Sequence, residues 1–409
     1  MSNIKLEEVF KTNGIPTYTF VRPEEYNQLL VALRTPGRGI VIEGPSGIGK
    51  TTSIRAALDD LKVKNEVLSL SGRNPKDLEL INALHTMNDV GTVLIDDFHI
   101  LDNQVKRNIA DYLKLLADDE NEKSKIIILG INHAGQTLIE FAGDLNNRLE
   151  IIRFESNPDE KIEELLEKGE KALNIEINVK NEVIQSSNGS FYIAQMLAHQ
   201  ICLDADIMEK QENCRATDIS FELCRGKVFD KLSGVFMKPA ESFSQGTRVR
   251  KEGRAPYLHL LYWLSESEEW SLNIDKVIRS HPEHRGSIIQ VAEKGHLKSL
   301  IENNEDIEKV LHYDETSRIL TVENPQFMYF IRNISWSKFA KDIGFGSIGF
   351  STPYDFALSF AGEDREVAEM LSDKLEEKET QVFYDKNEQH RILASNIEDY
   401  LRPIYQSDA

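Results

Sequence analysis

Cysteine is scarce in this chain: three among 409 residues, Cys202, Cys214 and Cys224. They show neither metal-ligand spacing nor an even framework to pair, which excludes a disulfide scaffold and suits a reducing compartment. No apolar run approaches the ~20 residues that a bilayer-spanning helix needs. The opening Met1-Ser2-Asn3-Ile4-Lys5-Leu6-Glu7-Glu8 has no signal-peptide apolar core. No membrane partner is therefore expected, and the cytoplasm is the default location. Positive charge is also short, with 48 Lys and Arg against 68 Asp and Glu and a net charge of −20. That argues against general affinity for nucleic acid or an anionic membrane and leaves room only for a local basic face. What remains is ordinary for a globular protein, 40% hydrophobic and 28% charged residues, on a chain long enough for two to four domains.

The most informative stretch is Gly44-Pro45-Ser46-Gly47-Ile48-Gly49-Lys50-Thr51, which fits G-x-x-x-x-G-K-[ST], the phosphate-binding loop. The apolar run Gly39-Ile40-Val41-Ile42 enters it as a buried parallel strand, and Thr52-Ser53-Ile54-Arg55-Ala56-Ala57-Leu58 leaves it with helical spacing. The glycines let the backbone wrap a polyphosphate with its N–H groups inward, and the helix N-terminus adds a favourable partial charge. Lys50 is expected at the β and γ phosphates, with Thr51 on Mg²⁺. All eight loop residues and Thr52 count as cofactor-binding, the cofactors being ATP and Mg²⁺.

Upstream, Gly14-Ile15-Pro16-Thr17-Tyr18-Thr19-Phe20-Val21 alternates like a short extended arm. Either Ile15 and Tyr18 cover the adenine, or the arm simply packs at the N-terminus. Downstream, Val67-Leu68-Ser69-Leu70 is a second strand. Thr92-Val93-Leu94-Ile95-Asp96-Asp97 is a buried strand ending in two carboxylates, the Walker B pattern. There Asp96 is expected to hold Mg²⁺ and Asp97 to polarise the attacking water. Gln104 to Leu116 reads as an amphipathic helix, and Lys125-Ile126-Ile127-Ile128-Leu129-Gly130 as a strand ending near Asn132, where a γ-phosphate sensor sits. Arg148 is either an arginine finger toward a neighbouring subunit or a surface salt bridge.

By these residues the chain resembles the AAA+ superfamily, and within it the branch that includes the STAND signalling ATPases and the origin-recognition ATPases, over residues 1 to about 220. The resemblance implies a parallel-sheet nucleotide core (1–155) and a helical lid (156–237). Two departures favour a nucleotide-held switch over a processive motor. The second Walker B acid is Asp97 where AAA+ motors usually carry Glu, and the lid segment Asn188 to Leu197 lacks the arginine that many relatives place there.

The lid is expected to contain a charged helix from Pro158 to Leu173, another from Gly189 to Leu203 and a helical stretch from Thr217 to Lys238. Lys238 to Thr247 reads as a connector, followed by the basic run Arg248-Val249-Arg250-Lys251-Glu252-Gly253-Arg254. From Pro256, an apolar helix (Tyr257 to Leu264), a short one (Ile274 to Ser280), a third (Ser287 to Glu302) and a hairpin (Val310 to Tyr313, Arg318 to Val322) follow in the order of a winged helix-turn-helix, domain 238–343. Such a fold often binds DNA. Here acids and bases are balanced, where a phosphate footprint is clearly basic, so an internal hinge packed on the nucleotide module is the favoured role.

After a flexible join, Asp355-Phe356-Ala357-Leu358-Ser359-Phe360 with Glu363-Asp364-Arg365, then Val382-Phe383-Tyr384-Asp385, resemble the first half of a TIR domain (352–409). An amphipathic helix joins the two strands, with Ala368, Met370, Leu371 and Leu375 on its apolar face. The resemblance implies an incomplete flavodoxin-like α/β piece. Many bacterial TIR domains cleave NAD⁺, but their catalytic glutamate follows a third strand, which lies beyond Ala409. So NAD⁺ is expected as a substrate only of a complete domain; for a piece this short, the expectation is that the sequence is truncated or ended by a frameshift, or that the piece survives by packing on a partner.

The fold expectation is thus α/β: a P-loop AAA+ parallel sheet with helical lid, a winged helix-turn-helix domain and a partial TIR piece. The leading functional expectation is an ATPase switch that homo-oligomerises and brings TIR domains together in anti-phage defence, triggered by a phage-derived component or a nucleic acid. A DNA-binding ATPase of the origin-recognition or transposition-helper kind, and a TIR–TIR scaffold without catalysis, are the alternatives.

Overall fold

The computed structural model describes residues 4–62, 67–130, 138–139, 145, 147–246, 255–345, 356–358, 364–376 and 382–383. Its first unit is built on five parallel strands: β1 (Gly39–Glu43), β2 (Val67–Ser71), β3 (Gly91–Asp96), β4 (Ser124–Leu129) and β5 (Leu149–Arg153), in the order β2-β3-β4-β1-β5. Their near-continuous apolar runs are what a sheet buried on both faces requires. On one face Ile40, Ile42, Leu94, Ile127, Leu129 and Ile152 pack under α1 (Tyr26–Arg34) and α2 (Lys50–Asp60). On the other, Val41, Val93, Ile95, Ile126 and Ile128 pack under α3 (Pro75–Ala83) and α4 (Asn103–Asp118). The alternation Ile40/Val41/Ile42 thus feeds two cores. Because all strands run the same way, the residues after β1, β2 and β3 gather at one sheet edge, where α/β sheets place ligands.

The lid comprises α5 (Asp159–Leu173), α6 (Lys180–Ser187) and α7 (Phe191–Asp204). The long helix α8 (Phe221–Gln245) follows. The connector expected at Lys238 to Thr247 is instead helical as far as Gln245, running through Pro239. Proline costs an interior hydrogen bond, but Phe236, Ala240 and Phe243 are buried on either side of it. That apolar face holds the helix together across the break.

The winged unit contains α9 (Pro256–Ser265), β6 (Ser271–Asn273), α10 (Ile274–Ser280), α11 (Arg285–Glu293), α12 (His296–Glu302), β7 (Leu311–Asp314) and β8 (Ile319–Val322). β8 pairs antiparallel with both β6 and β7, so the expected hairpin has a third strand. The single helix expected over Ser287 to Glu302 is broken in two, because Gly295 stands at φ +69°, outside helical space. Two helices not anticipated beyond the hairpin, α13 (Pro325–Arg332) and α14 (Trp336–Asp342), complete the unit. Lid, α8 and winged unit share one apolar core. Phe330 stacks on Phe229 with centroids 5.4 Å apart, and Phe327 meets Phe236 at 5.6 Å.

At the C-terminal end, β9 (Phe356–Ala357) and β10 (Val382–Phe383) pair in parallel, and α15 (Arg365–Glu376) joins them. That is the expected β-α-β order. Ala368 is buried, but Met370 and Leu371, expected on the apolar face, are exposed.

Candidate functional site

The loop between β1 and α2 takes the shape that its glycines allow. Gly44 has φ +143°, and a Cβ there would lie 2.3 Å from the Phe154 carbonyl oxygen. Gly49, at φ +106°, ends the loop and caps α2. Ser46, Gly47, Gly49, Lys50, Thr51 and Thr52 line a cavity of about 300 Å³. Gly44, Pro45 and Ile48 support the loop from behind: Ile48 is buried in the core, and the carbonyls of Gly44 and Pro45 accept from Lys50 Nζ at 2.6 and 2.7 Å. Burial lowers the Lys50 ammonium to about 8, against the opposing pull of Asp96 and Asp97.

Asp96 and Asp97 reach the same cavity from the end of β3. Burial, then the neighbouring charge of Asp97, raises the Asp96 carboxyl. Asp97 sits in left-handed backbone at φ +56°, a conformation that Asp tolerates better than most residues. Its oxygens are engaged: Ser71 Oγ donates to one at 2.9 Å and Arg73 Nε stands 3.2 Å from the other. Asn132 lies outside the described residues. Arg148 is not at the cavity. It pairs with Asp118, Nη2 to Oδ1 at 2.6 Å.

The segment from Gly14 to Val21 is irregular rather than extended. Neither Ile15 nor Tyr18 lines the cavity; Pro16, Thr19, Phe20 and Val21 do. The Ile15 carbonyl accepts from Lys11 Nζ, and Tyr18 is exposed. Ile15 and Tyr18, one expectation for the adenine cover, therefore stand outside the lining of this cavity. The alternation was misread because Pro16 breaks the segment's ladder-forming capacity.

Three groups escaped the sequence reading. Arg73 follows β2, the strand beside β3. Tyr192 at the start of α7 donates its backbone N–H to the Gly47 carbonyl at 3.2 Å. Glu323, in the turn between β8 and α13, enters the cavity from the winged unit. Burial would raise the Glu323 carboxyl, but the hydrogen bond to His99 (2.6 Å from Nε2) and the charges of His99 and Arg73 hold it down to about 2. Arg73 pairs with both Glu323 and Asp97. Gln326 of α13 donates to Tyr192 Oη at 2.7 Å, and Pro325 faces Gly47. The Asn324-Pro325 pair, an N-cap followed by proline in the first turn, is the signal that could have revealed α13.

No family model matches the chain. A curated relative, the 3′ cyclic ADP-D-ribose synthase AaTIR of Aquimarina amphilecti, is 44% identical over 59 residues, 14% of this chain. The chain thus matches only 18% of that relative's length. Solved structures with a similar fold include the Aeropyrum pernix ORC2 protein in ADPNP–ADP complexes, at 13% identity and a TM-score of 0.43, covering 84% of this chain and 98% of that one. The Thermotoga maritima RuvB Holliday junction branch migration motor matches at 12% and 0.39, covering 78% and 100%. Domain III of the Thermotoga maritima replication initiation protein DnaA matches at 16% and 0.38, covering 56% and 98%. Among the described residues, no helix is long and apolar enough to cross a membrane.

Proposed function

We propose that this chain is a nucleotide-held switch: an ATP-binding, slowly hydrolysing ATPase of the AAA+/STAND kind whose winged unit closes the nucleotide cleft and whose C-terminal segment is the start of a TIR output domain. One observation carries the reading. Lys50, Thr51 and Asp96 of the nucleotide unit and Glu323 of the winged unit line a single cavity. The residues fit a Mg²⁺-nucleotide. Lys50 would exchange two loop carbonyls for phosphate oxygens, and Thr51 with Asp96 would hold the ion. Mg²⁺ there supplies charge neutralisation to the β and γ phosphates. Slow hydrolysis follows from Asp97, whose carboxylate is occupied by Ser71 and Arg73.

The parallel β9-α15-β10 unit and the short match to AaTIR support a TIR-type output. The exposed Val367, Met370 and Leu371 support a segment that packs against further chain or a second copy, in keeping with TIR–TIR association and a homo-oligomer. We read the role as intracellular defence, with a phage-derived or nucleic-acid trigger and with NAD⁺ consumed only by a complete TIR domain.

Calorimetry with ATP and Mg²⁺, followed by NAD⁺ consumption in the chain extended through its genomic reading frame, tests both halves. Micromolar ATP binding that Lys50→Ala removes supports the switch; equal affinity in Lys50→Ala overturns it. NAD⁺ loss that depends on ATP-driven assembly supports the output, and its absence in assembled protein overturns it. DNA retention falling steeply with salt would favour a DNA-binding ATPase instead.

A further inference from the structure

Beside the nucleotide cleft, His99, His312 and Glu323 each offer one ligand atom, and these atoms all lie within 4.8 Å of one another. The three come from two units: His99 follows Asp97 in the nucleotide unit, while His312 on β7 and Glu323 after β8 belong to the winged unit. We propose that they form a site for a borderline divalent cation of the Zn²⁺ class, which clamps the winged unit onto the nucleotide unit.

Two imidazoles and one carboxylate are a donor set that suits Zn²⁺ and disfavours Mg²⁺, which demands oxygen ligands. Ligands about 2 Å from one ion stand at most about 4 Å apart, so side-chain rotations of roughly an ångström complete the geometry. The site is sheltered: the His99 side chain is 12% exposed and that of Glu323 6%. The His99 and His312 rings meet edge to face, with centroids 4.9 Å apart. His99 Nδ1 is buried without a hydrogen-bond partner, an unusual condition for a buried ring nitrogen. Two cations flank the site. Arg73 also leans on Asp97, and Lys106, which bonds the His99 carbonyl at 2.7 Å, lies near Asp314 and Asp102. A three-ligand site leaves a fourth position for water. The proposal does not depend on ATP hydrolysis.

The test uses the full chain stripped with a chelator, then titrated with Zn²⁺ against a chromophoric competitor in a large excess of Mg²⁺, which saturates oxygen-ligand sites. One equivalent of Zn²⁺ is expected, with a raised melting temperature. Affinity should fall at least about 100-fold in His312→Gln and Glu323→Gln, since even partners outside the ligand set cost 10–100-fold. It should be unchanged in Asp96→Asn and Cys214→Ser. No Zn²⁺ bound, unchanged affinity in His312→Gln, or loss in Asp96→Asn or Cys214→Ser would each overturn the proposal. Should His312→Gln not fold, Co²⁺ in the parent chain decides: visible bands of nitrogen and oxygen ligation without a thiolate charge-transfer band support the site, and a thiolate band, or the spectrum of free aqueous Co²⁺, overturns it.

Discussion

Glu323 Oε1 lies 2.6 Å from His99 Nε2, so a carboxylate leaving the last winged strand is tied to the turn that carries Asp97. The same carboxylate pairs with Arg73, and Arg73 stands 3.2 Å from Asp97. A chain of charge therefore runs from the winged unit to Asp97 at the end of β3. Such a contact restrains the winged unit only while the cleft is arranged as seen here. Binding at the site and release of the winged unit are then linked equilibria.

Replacing Glu323 by Gln removes the charge but keeps the shape. A charge-assisted hydrogen bond is worth about 1.5–3 kcal/mol, which corresponds to roughly 10- to 100-fold in an equilibrium. Glu323→Gln should accelerate release of a fluorescent ADP analogue by at least about tenfold, measured by stopped-flow. A release rate within twofold of the parent would mean that the winged unit does not gate the cleft.

Lys50 and Asp97 separate binding from chemistry. Lys50→Ala removes a cation that burial has already made costly to keep, and should weaken ATP at least about tenfold in calorimetry. Asp97→Asn keeps the acceptor for Ser71 and should leave ATP affinity within about threefold. Loss of a positioned general base costs about 10²- to 10⁴-fold, so steady-state phosphate release should drop on that scale. If Asp97→Asn hydrolyses ATP like the parent, Asp97 is a partner of Ser71 and Arg73 and not a general base.

The parallel sheet, the glycine turn after β1 and the paired acids ending β3 were legible in their placement because local pattern decides it. Alternating apolar residues feed two cores, and glycines stand where φ is positive. Glu323, Arg73 and Tyr192 were not, because their importance comes from contacts spanning 134 to 250 residues of sequence, as between Tyr192 and Gln326 or Arg73 and Glu323. A lone acid after a strand carries no local sign of where it will land. The connector at Lys238 was misplaced for the opposite reason. Pro239 is a strong local signal of a break, and a distributed apolar face overrode it.

Acid should loosen the winged unit first. Burial, then neighbouring histidines, lowers both His312 and His259 to about 4, below the ordinary 6.5. The unfolded chain thus binds more protons between these values. The stability contributed by keeping the rings neutral is complete above about pH 6.5 and is lost as the pH falls through 4. At about 1.4 kcal/mol per unit, a single buried histidine contributes on the order of 3 kcal/mol across that window. Denaturant melts between pH 7 and 4 should show this fall, and His312→Gln should flatten it. A stability that is level from pH 6.5 to 4.5 in the parent would contradict the buried, neutral state of both rings.

Two glycines in helices make opposite predictions, and both bear on how the lid is held. Gly169 lies in α5 against the N-terminal segment, and a Cβ there would stand 2.1 Å from Phe10 Cζ in a fully buried ring. Overpacking of this kind costs about 1–3 kcal/mol, so Gly169→Ala should lower the melting temperature by several degrees and loosen the segment from Lys11 to Val21 that lines the cleft. Gly226 is exposed in α8, and a Cβ there meets nothing within 4 Å. Alanine at an open helical position is favoured by about 0.5–1 kcal/mol, so Gly226→Ala should raise the melting temperature without changing ATP affinity. If Gly169→Ala proved as stable as the parent, the N-terminal segment would not be docked on the lid through Phe10, and the wall of the cleft formed by Pro16, Thr19 and Phe20 would have to be held by something else.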